Sequence, residues 1–100
     1  MLFRSAVREF CDENGILMIC DEVQSGWART GRLFGADYYK DIDVEPDILL
    51  TAKAIAGGLP LASVTARKEI MDTVPAEIIG GTFCRNPSRE IGRASCRERV

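Results

Sequence analysis

The chain has 100 residues, 46% of them apolar and 28% charged, with a formal net charge of −2; this is the composition of one small globular domain and too short for two. No apolar run approaches the roughly 18 residues that a membrane span requires, and the N-terminal stretch carries acids and lacks a signal peptide's basic start, so neither a membrane segment nor secretion is expected and a cytoplasmic location is. Histidine is absent, which excludes Ser-His-Asp catalysis, histidine–zinc sites and imidazole acid/base chemistry and leaves Lys, Asp, Glu, Cys, Tyr or a cofactor to carry any reaction.

Residues 2–13 place Leu2, Phe3, Ala6, Val7, Phe10 and Cys11 at helical spacing, with Arg4, Arg8, Glu9, Asp12 and Glu13 opposite, and so predict an amphipathic helix. Asn14-Gly15 tolerates a left-handed backbone and should end it. Ile16-Leu17-Met18-Ile19-Cys20 is an unalternating apolar run, the pattern of a strand covered on both faces in a parallel sheet. Helix, turn and buried strand together make half of a βαβ unit, which points to an α/β fold. Residues 25–35 hold three glycines among Arg, Thr and Trp27 and read as a surface loop. Loops that follow buried strands are where α/β proteins keep their sites. Past a polar connection at 41–45 and Pro46, residues 47–52 and 61–66 read as two further strands separated by Gly57-Gly58-Leu59-Pro60, and 67–73 as a short helix ended before Pro75.

Cys11, Cys20, Cys84 and Cys96 form no CxxC pair, so a metal knuckle is not expected; two of them sit among apolar neighbours, as reduced thiols of a reducing compartment do. From Arg89 onward four arginines stand against two glutamates. Without lysine or an aromatic to stack on a base, this reads as a solvated or non-native tail rather than a nucleic-acid arm.

Two features carry chemistry. Cys20-Asp21-Glu22 ends the apolar run with two acids, which fits a Mg²⁺-holding strand end of nucleotide hydrolases only where a phosphate loop is also present. No GxxxxGK[ST] occurs in the chain. The other reading has Asp21 facing a cationic group of a ligand at the sheet edge, holding a pyridine-type nitrogen protonated. A partner amine must then come from the next strand, and Lys53, followed by Ala54-Ile55-Ala56-Gly57-Gly58, stands at its end. An amine in apolar surroundings loses its charge readily and suits Schiff-base chemistry; spacing alone reads Lys53 equally well as a surface lysine beside a turn.

Asp21-Glu22-Val23-Gln24-Ser25-Gly26, Arg29-Thr30-Gly31, Pro46-Asp47-Ile48-Leu49, Ala52-Lys53, Gly57-Gly58-Leu59-Pro60-Leu61, Gly80-Gly81-Thr82-Phe83 and Asn86-Pro87 follow in one order. Over residues 1–88 this series resembles the central region of class III pyridoxal-phosphate aminotransferases. Val64–Asp72 is more similar to the 4-aminobutyrate branch than to the acetylornithine branch. The resemblance implies a partial large domain of the fold-type-I (aspartate aminotransferase-like) class, α/β with a mostly parallel sheet, and pyridoxal 5′-phosphate as cofactor. It makes Lys53 the catalytic Schiff-base lysine and proton carrier, and Asp21 the partner of the pyridinium nitrogen. It also implies that Val23 packs on the ring face, that Gln24 donates to the phenolic oxygen, and that Thr82 reaches the phosphate of the other subunit in a homodimer. Arg29 has two readings, a substrate-loop contact or an intraloop ion pair, of which the ion pair is favoured; Glu22 is expected to orient the loop, and Trp27 is a candidate lining of the entrance.

The implied activity is transfer of an amino group from an ω-amino acid such as 4-aminobutyrate to a 2-oxo acid such as 2-oxoglutarate, with no metal, nucleic acid or membrane partner. Acetylornithine or another ω-amino acid is the alternative donor, and a catalytically inactive truncated remnant the alternative state. The family's upstream phosphate-binding turn and its C-terminal domain have no counterpart in these residues. The chain begins inside the helix that precedes the Asp21 strand, so Met1 is expected to be an internal methionine. Residues 89–100 resemble translated adapter DNA and are expected to be a non-native tail.

Overall fold

The computed structural model describes residues 2–75; Thr82, Cys84, Cys96 and the 89–100 stretch lie outside them. Helix α1 spans Leu2–Asn14, and its last turn is closed by the Asn14 side-chain amide donating to the Phe10 carbonyl at 2.8 Å. Gly15 then takes φ +64°, the left-handed conformation that stops the helix. Strand β1 is Ile19–Asp21, β2 is Ile48–Thr51 and β3 is Ser63–Ala66, and a one-turn helix α2, Lys68–Met71, follows β3. Two 3-10 helices complete the order, Gly35–Ile42 between β1 and β2 and Lys53–Ala56 directly after β2.

The sheet is mixed, in the order β1-β2-β3. β1 and β2 run parallel, with Ile19 opposite Ile48 and Asp21 opposite Leu50, whereas β2 and β3 run antiparallel, with Thr51 opposite Ser63. Connection length accounts for both senses. The stretch from Glu22 to Asp47 is long enough to carry the chain back to the start of the sheet, while the short path through Gly57 (φ +58°) and Gly58 (φ +107°) can only reverse it.

Three expectations are corrected. The apolar run at 16–20 yields a strand only from Ile19, and Ile16, Leu17 and Ile19 are 47%, 47% and 55% exposed rather than covered. The ladder starts late because the Met18 N–H is taken by the Asp47 carboxylate, while the Met18 carbonyl accepts from both the Asp47 and Ile48 N–H groups. On α1 the packed stripe is narrower than the apolar periodicity suggests. Cys11 is buried, but Phe3 and Phe10 are exposed, and Arg8, assigned to the polar side, turns inward to Asp47. The 3-10 helix Gly35–Ile42 had no regular element assigned to it. It is held by the Asp37 carboxylate accepting from the Phe34 N–H at 2.9 Å and by a Lys40–Asp37 ion pair at 2.8 Å.

Candidate active site

The parallel register brings Asp21 and Lys53 to the same edge of the sheet. Asp21 closes β1 opposite Leu50, and Lys53 follows β2 by two positions, so both stand at the carboxyl ends of adjacent parallel strands, the end at which open α/β sheets bind ligands. Both side chains are exposed. Asp21 Oδ1 accepts the Val23 N–H at 3.0 Å, a bond that turns the chain sharply out of the strand and leaves Oδ2 unengaged among the described residues. Val23 is half-buried and Gln24 exposed on that turn.

Lys53 opens its 3-10 turn in a left-handed conformation, φ +49°, directly after a fully extended Ala52 (φ −162°). For a side chain with a Cβ this conformation costs roughly 1–2 kcal/mol, and such strain concentrates at functional positions. The Ile55 N–H to Ala52 carbonyl bond at 3.2 Å and the αL cap at Gly57 hold the turn in place.

Below this edge Glu22 is 5% exposed and organises the loop after β1. Its own N–H continues the ladder to the Leu50 carbonyl at 2.8 Å, and its carbonyl accepts the Gly26 N–H at 2.9 Å. Its carboxylate accepts the Ser25 hydroxyl and, at 3.0 Å, the Ala36 N–H. One side chain therefore joins the start of the loop to the start of the 3-10 helix, the orienting role expected of it. A Cβ on Gly35 would sit 2.7 Å from Glu22 Oε1, and one on Gly26 2.7 Å from the Glu22 carbonyl, so two of the loop's glycines are there for closeness of approach.

Trp27 and Ala28 both adopt positive φ, 62° and 70°, and the Trp27 ring meets Phe34 edge-on at 5.3 Å. Arg29 is exposed and has no ion pair among the described residues. Arg32 ties the loop instead, donating to the Asp37 carbonyl at 2.8 Å and lying over the Tyr38 ring at 4.6 Å. A cavity of about 280 Å³ opens between the α1 face and β1, lined by Arg4, Val7, Cys20, Asp21 and Ser25 among others. Cys11 and Cys20 are free thiols. Burial pushes the Cys20 thiol up, Arg4 draws it down and Glu22 adds to the rise, with a net upward shift.

Of the site residues taken from the sequence, Asp21, Val23, Gln24 and Lys53 fall at one sheet edge, while Thr82 lies outside the described residues. Asp47 was missed as anything beyond part of a motif. Among the described residues it is the most connected carboxylate, bonded to Met18, Arg8 and Arg67. The signal for it was an acid directly after proline at the head of a strand.

A family model described as Aminotransferase class-III matches residues 2–95. Over 85 residues the chain is 52% identical to the 2-aminoadipate transaminase of Pseudomonas putida and 51% identical to the 4-aminobutyrate aminotransferase GabT of Escherichia coli. Those alignments take in 85% of this chain but only 20% and 19% of the relatives, so the chain spans about a fifth of their length. Among solved structures it is similar to an acetylornithine aminotransferase from Elizabethkingia anophelis, with a TM-score of 0.69 and 41% identity over 81% of this chain and 21% of that one. It is also similar to a taurine:2-oxoglutarate aminotransferase from Bifidobacterium kashiwanohense in complex with PLP and glutamate, with a TM-score of 0.62 and 40% identity over 79% and 18% of the two chains. The solved structures share the fold as well as the sequence, and the family model spans well over half of the residues: the chain belongs to the class III aminotransferases.

Proposed function

We propose that residues 1–88 are part of the large domain of a pyridoxal-phosphate aminotransferase that moves an amino group from an ω-amino acid of the 4-aminobutyrate kind to a 2-oxo acid such as 2-oxoglutarate. The observation that carries the reading is the β1–β2 register, with a carboxylate oxygen unengaged among the described residues and an exposed amine at neighbouring strand ends. The donor set fits the cofactor: Asp21 offers an anionic acceptor to a ring N–H, Lys53 a primary amine to an aldehyde carbon, Gln24 an amide N–H to a phenolic oxygen, and Val23 an apolar surface to a ring face. When bound, pyridoxal phosphate supplies an aldehyde carbon and an electron-withdrawing ring.

Asp21 holds the proton on the ring nitrogen through a charge-assisted hydrogen bond, and the Val23 N–H bond to its Oδ1 keeps the carboxylate aimed outward. Lys53 Nζ would hold the cofactor through its aldehyde carbon and, as a free amine, would take up and return a proton at the substrate carbon. Val23 excludes water from one ring face, and Gln24 steadies the phenolic oxygen. Thr82 is assigned to the phosphate of a second subunit, which makes the working unit a homodimer. Residues 89–100 are assigned to a non-native tail. A cytoplasmic location goes with this reading.

The test exchanges this chain's segment into the matching stretch of Escherichia coli GabT. The chimera is loaded with pyridoxal phosphate, reduced with borohydride and mapped by mass spectrometry. A single cofactor-bearing lysine at Lys53 is expected, together with 4-aminobutyrate-dependent formation of glutamate that Lys53→Ala abolishes. A folded chimera without the Lys53 adduct overturns the reading. Faster turnover of acetylornithine or 2-aminoadipate than of 4-aminobutyrate, carried by the exchanged segment, would replace the donor and leave the chemistry.

A further inference from the structure

We infer that Asp47 is a positioning residue for this site: from the amino ends of β1 and β2 its carboxylate sets the offset between the two strands, and thereby how Asp21 stands against Lys53 at the carboxyl ends. The inference rests on the functional reading above for what those two residues do, and on the following geometry for how Asp47 acts on them.

The Asp47 side chain is 10% exposed. Its Oδ2 accepts the Met18 N–H at 2.8 Å and an Arg8 N–H at 2.9 Å, and its Oδ1 accepts an Arg67 N–H at 2.7 Å. Met18 immediately precedes β1, Asp47 immediately precedes β2, and Arg67 immediately follows β3. Because β3 is antiparallel, its far end lies beside the near ends of the other two. One carboxylate thus gathers all three strands at one end of the sheet and adds α1 through Arg8. Residue 47 holds Met18 from both sides, since its own N–H also donates to the Met18 carbonyl at 2.8 Å.

Register in a sheet is ordinarily specified by which face is buried, because a slip of one residue moves every side chain to the other face. That specification is weak in β1. The strand has three residues, and its burial runs exposed, intermediate, exposed. The hydrogen bond from Met18 to the Asp47 carboxylate supplies what burial does not, fixing Ile19 against Ile48 and therefore Asp21 against Leu50. A slip of one residue would displace Asp21 by about 3.3 Å and turn it to the opposite face. Both arginines offset the desolvation of the carboxylate, but Arg67 is 66% exposed and exposed pairs contribute little; the Met18 bond is the part that sets register.

The experiment uses the active chimera described above with Asp47→Leu, which keeps the bulk without an oxygen, and Asp47→Asn, which keeps an acceptor for the Met18 N–H without the charge. Three readouts are taken: kcat, KM for the amino donor, and the pH at which the visible absorbance of the Lys53-bound cofactor titrates. Asp47→Leu is expected to lower kcat on the order of tenfold, with KM unchanged and the titration displaced. Asp47→Asn should restore kcat to within about twofold and return the titration to its original pH. A role limited to ion-pair stability predicts instead that Asn and Leu behave alike, and that result overturns the inference, as does a folded Asp47→Leu variant with unchanged kcat and titration. Should Asp47→Leu not fold, Asp47→Asn and Arg67→Met decide: both must retain kcat and titration, and a loss on the order of tenfold in either overturns it. The unaltered chimera separates the two readings. Absence of the Lys53 adduct there defeats the proposed function, whereas an active chimera indifferent to residue 47 defeats this inference alone.

Discussion

Burial pushes the Asp47 carboxyl up, but the Met18 N–H bond, the Arg8 bond and the charges of Arg8 and Arg67 outweigh it and hold the group below its ordinary value. A carboxyl whose folded pKa lies below the unfolded value of about 3.9 contributes stability that is fully present above that value and lost as pH falls through the folded pKa. Acid unfolding of the chimera, followed by circular dichroism, should therefore show a stability loss below about pH 4 that is smaller in Asp47→Asn. At Cys20 the shift is upward, with burial the largest cause, so the thiol is protonated at neutral pH and a poor nucleophile. Timed alkylation with iodoacetamide and mass spectrometry should find Cys20 reacting more slowly than a free cysteine. In the sequence the acid and the amine were legible as strand-end residues, while the choice of Lys53 over a surface lysine came from the motif resemblance. Asp47 was not, since its importance comes from Met18, Arg8 and Arg67, which lie 29, 39 and 20 positions away.

Among the elements, the loop from Glu22 to the 3-10 helix is built on contacts that leave no room for a Cβ at two glycines. Gly26→Ala would press against the Glu22 carbonyl, which is backbone and already held by the Gly26 N–H, and is expected to destabilise by about 1–3 kcal/mol. Ala28, at φ +70°, goes the other way: Ala28→Gly relieves a left-handed Cβ clash and should stabilise by about 1 kcal/mol. Denaturant midpoints of the two chimeras, read against the parent, check both signs. Helix α1 and its stop were legible because apolar spacing and Asn14-Gly15 are local signals. The 3-10 helix Gly35–Ile42 was not, because Asp37 holds it by reaching back to Phe34 rather than by any apolar period.

For the whole molecule, the described residues bury only Cys11 and Val44 as apolar side chains, while Phe3 is 78%, Phe10 59% and Leu59 58% exposed. Apolar surface on this scale, with β1 and β3 the outer strands of the sheet among the described residues, is an invitation to association. The 100-residue chain expressed by itself is expected to bind a hydrophobic dye strongly and to scatter light as concentration rises, and the chimera to do neither. A monomeric, dye-silent isolated chain would contradict this.

Residue types and local order by themselves determined the α/β class, the helix and its stop, and the places of the second and third strands, because each depends on spacing along the chain; the ordered motifs, through their resemblance to the class III aminotransferases, added the family and singled out Lys53 and Asp21 as candidates. The tertiary structure decided the sense of each strand pair, the late start of β1, the inward turn of Arg8 and the strained backbone of Lys53. The late start of β1 and the inward turn of Arg8 follow from hydrogen bonds between residues distant in sequence, above all those of the Asp47 carboxylate, and no periodicity along the chain encodes such a bond.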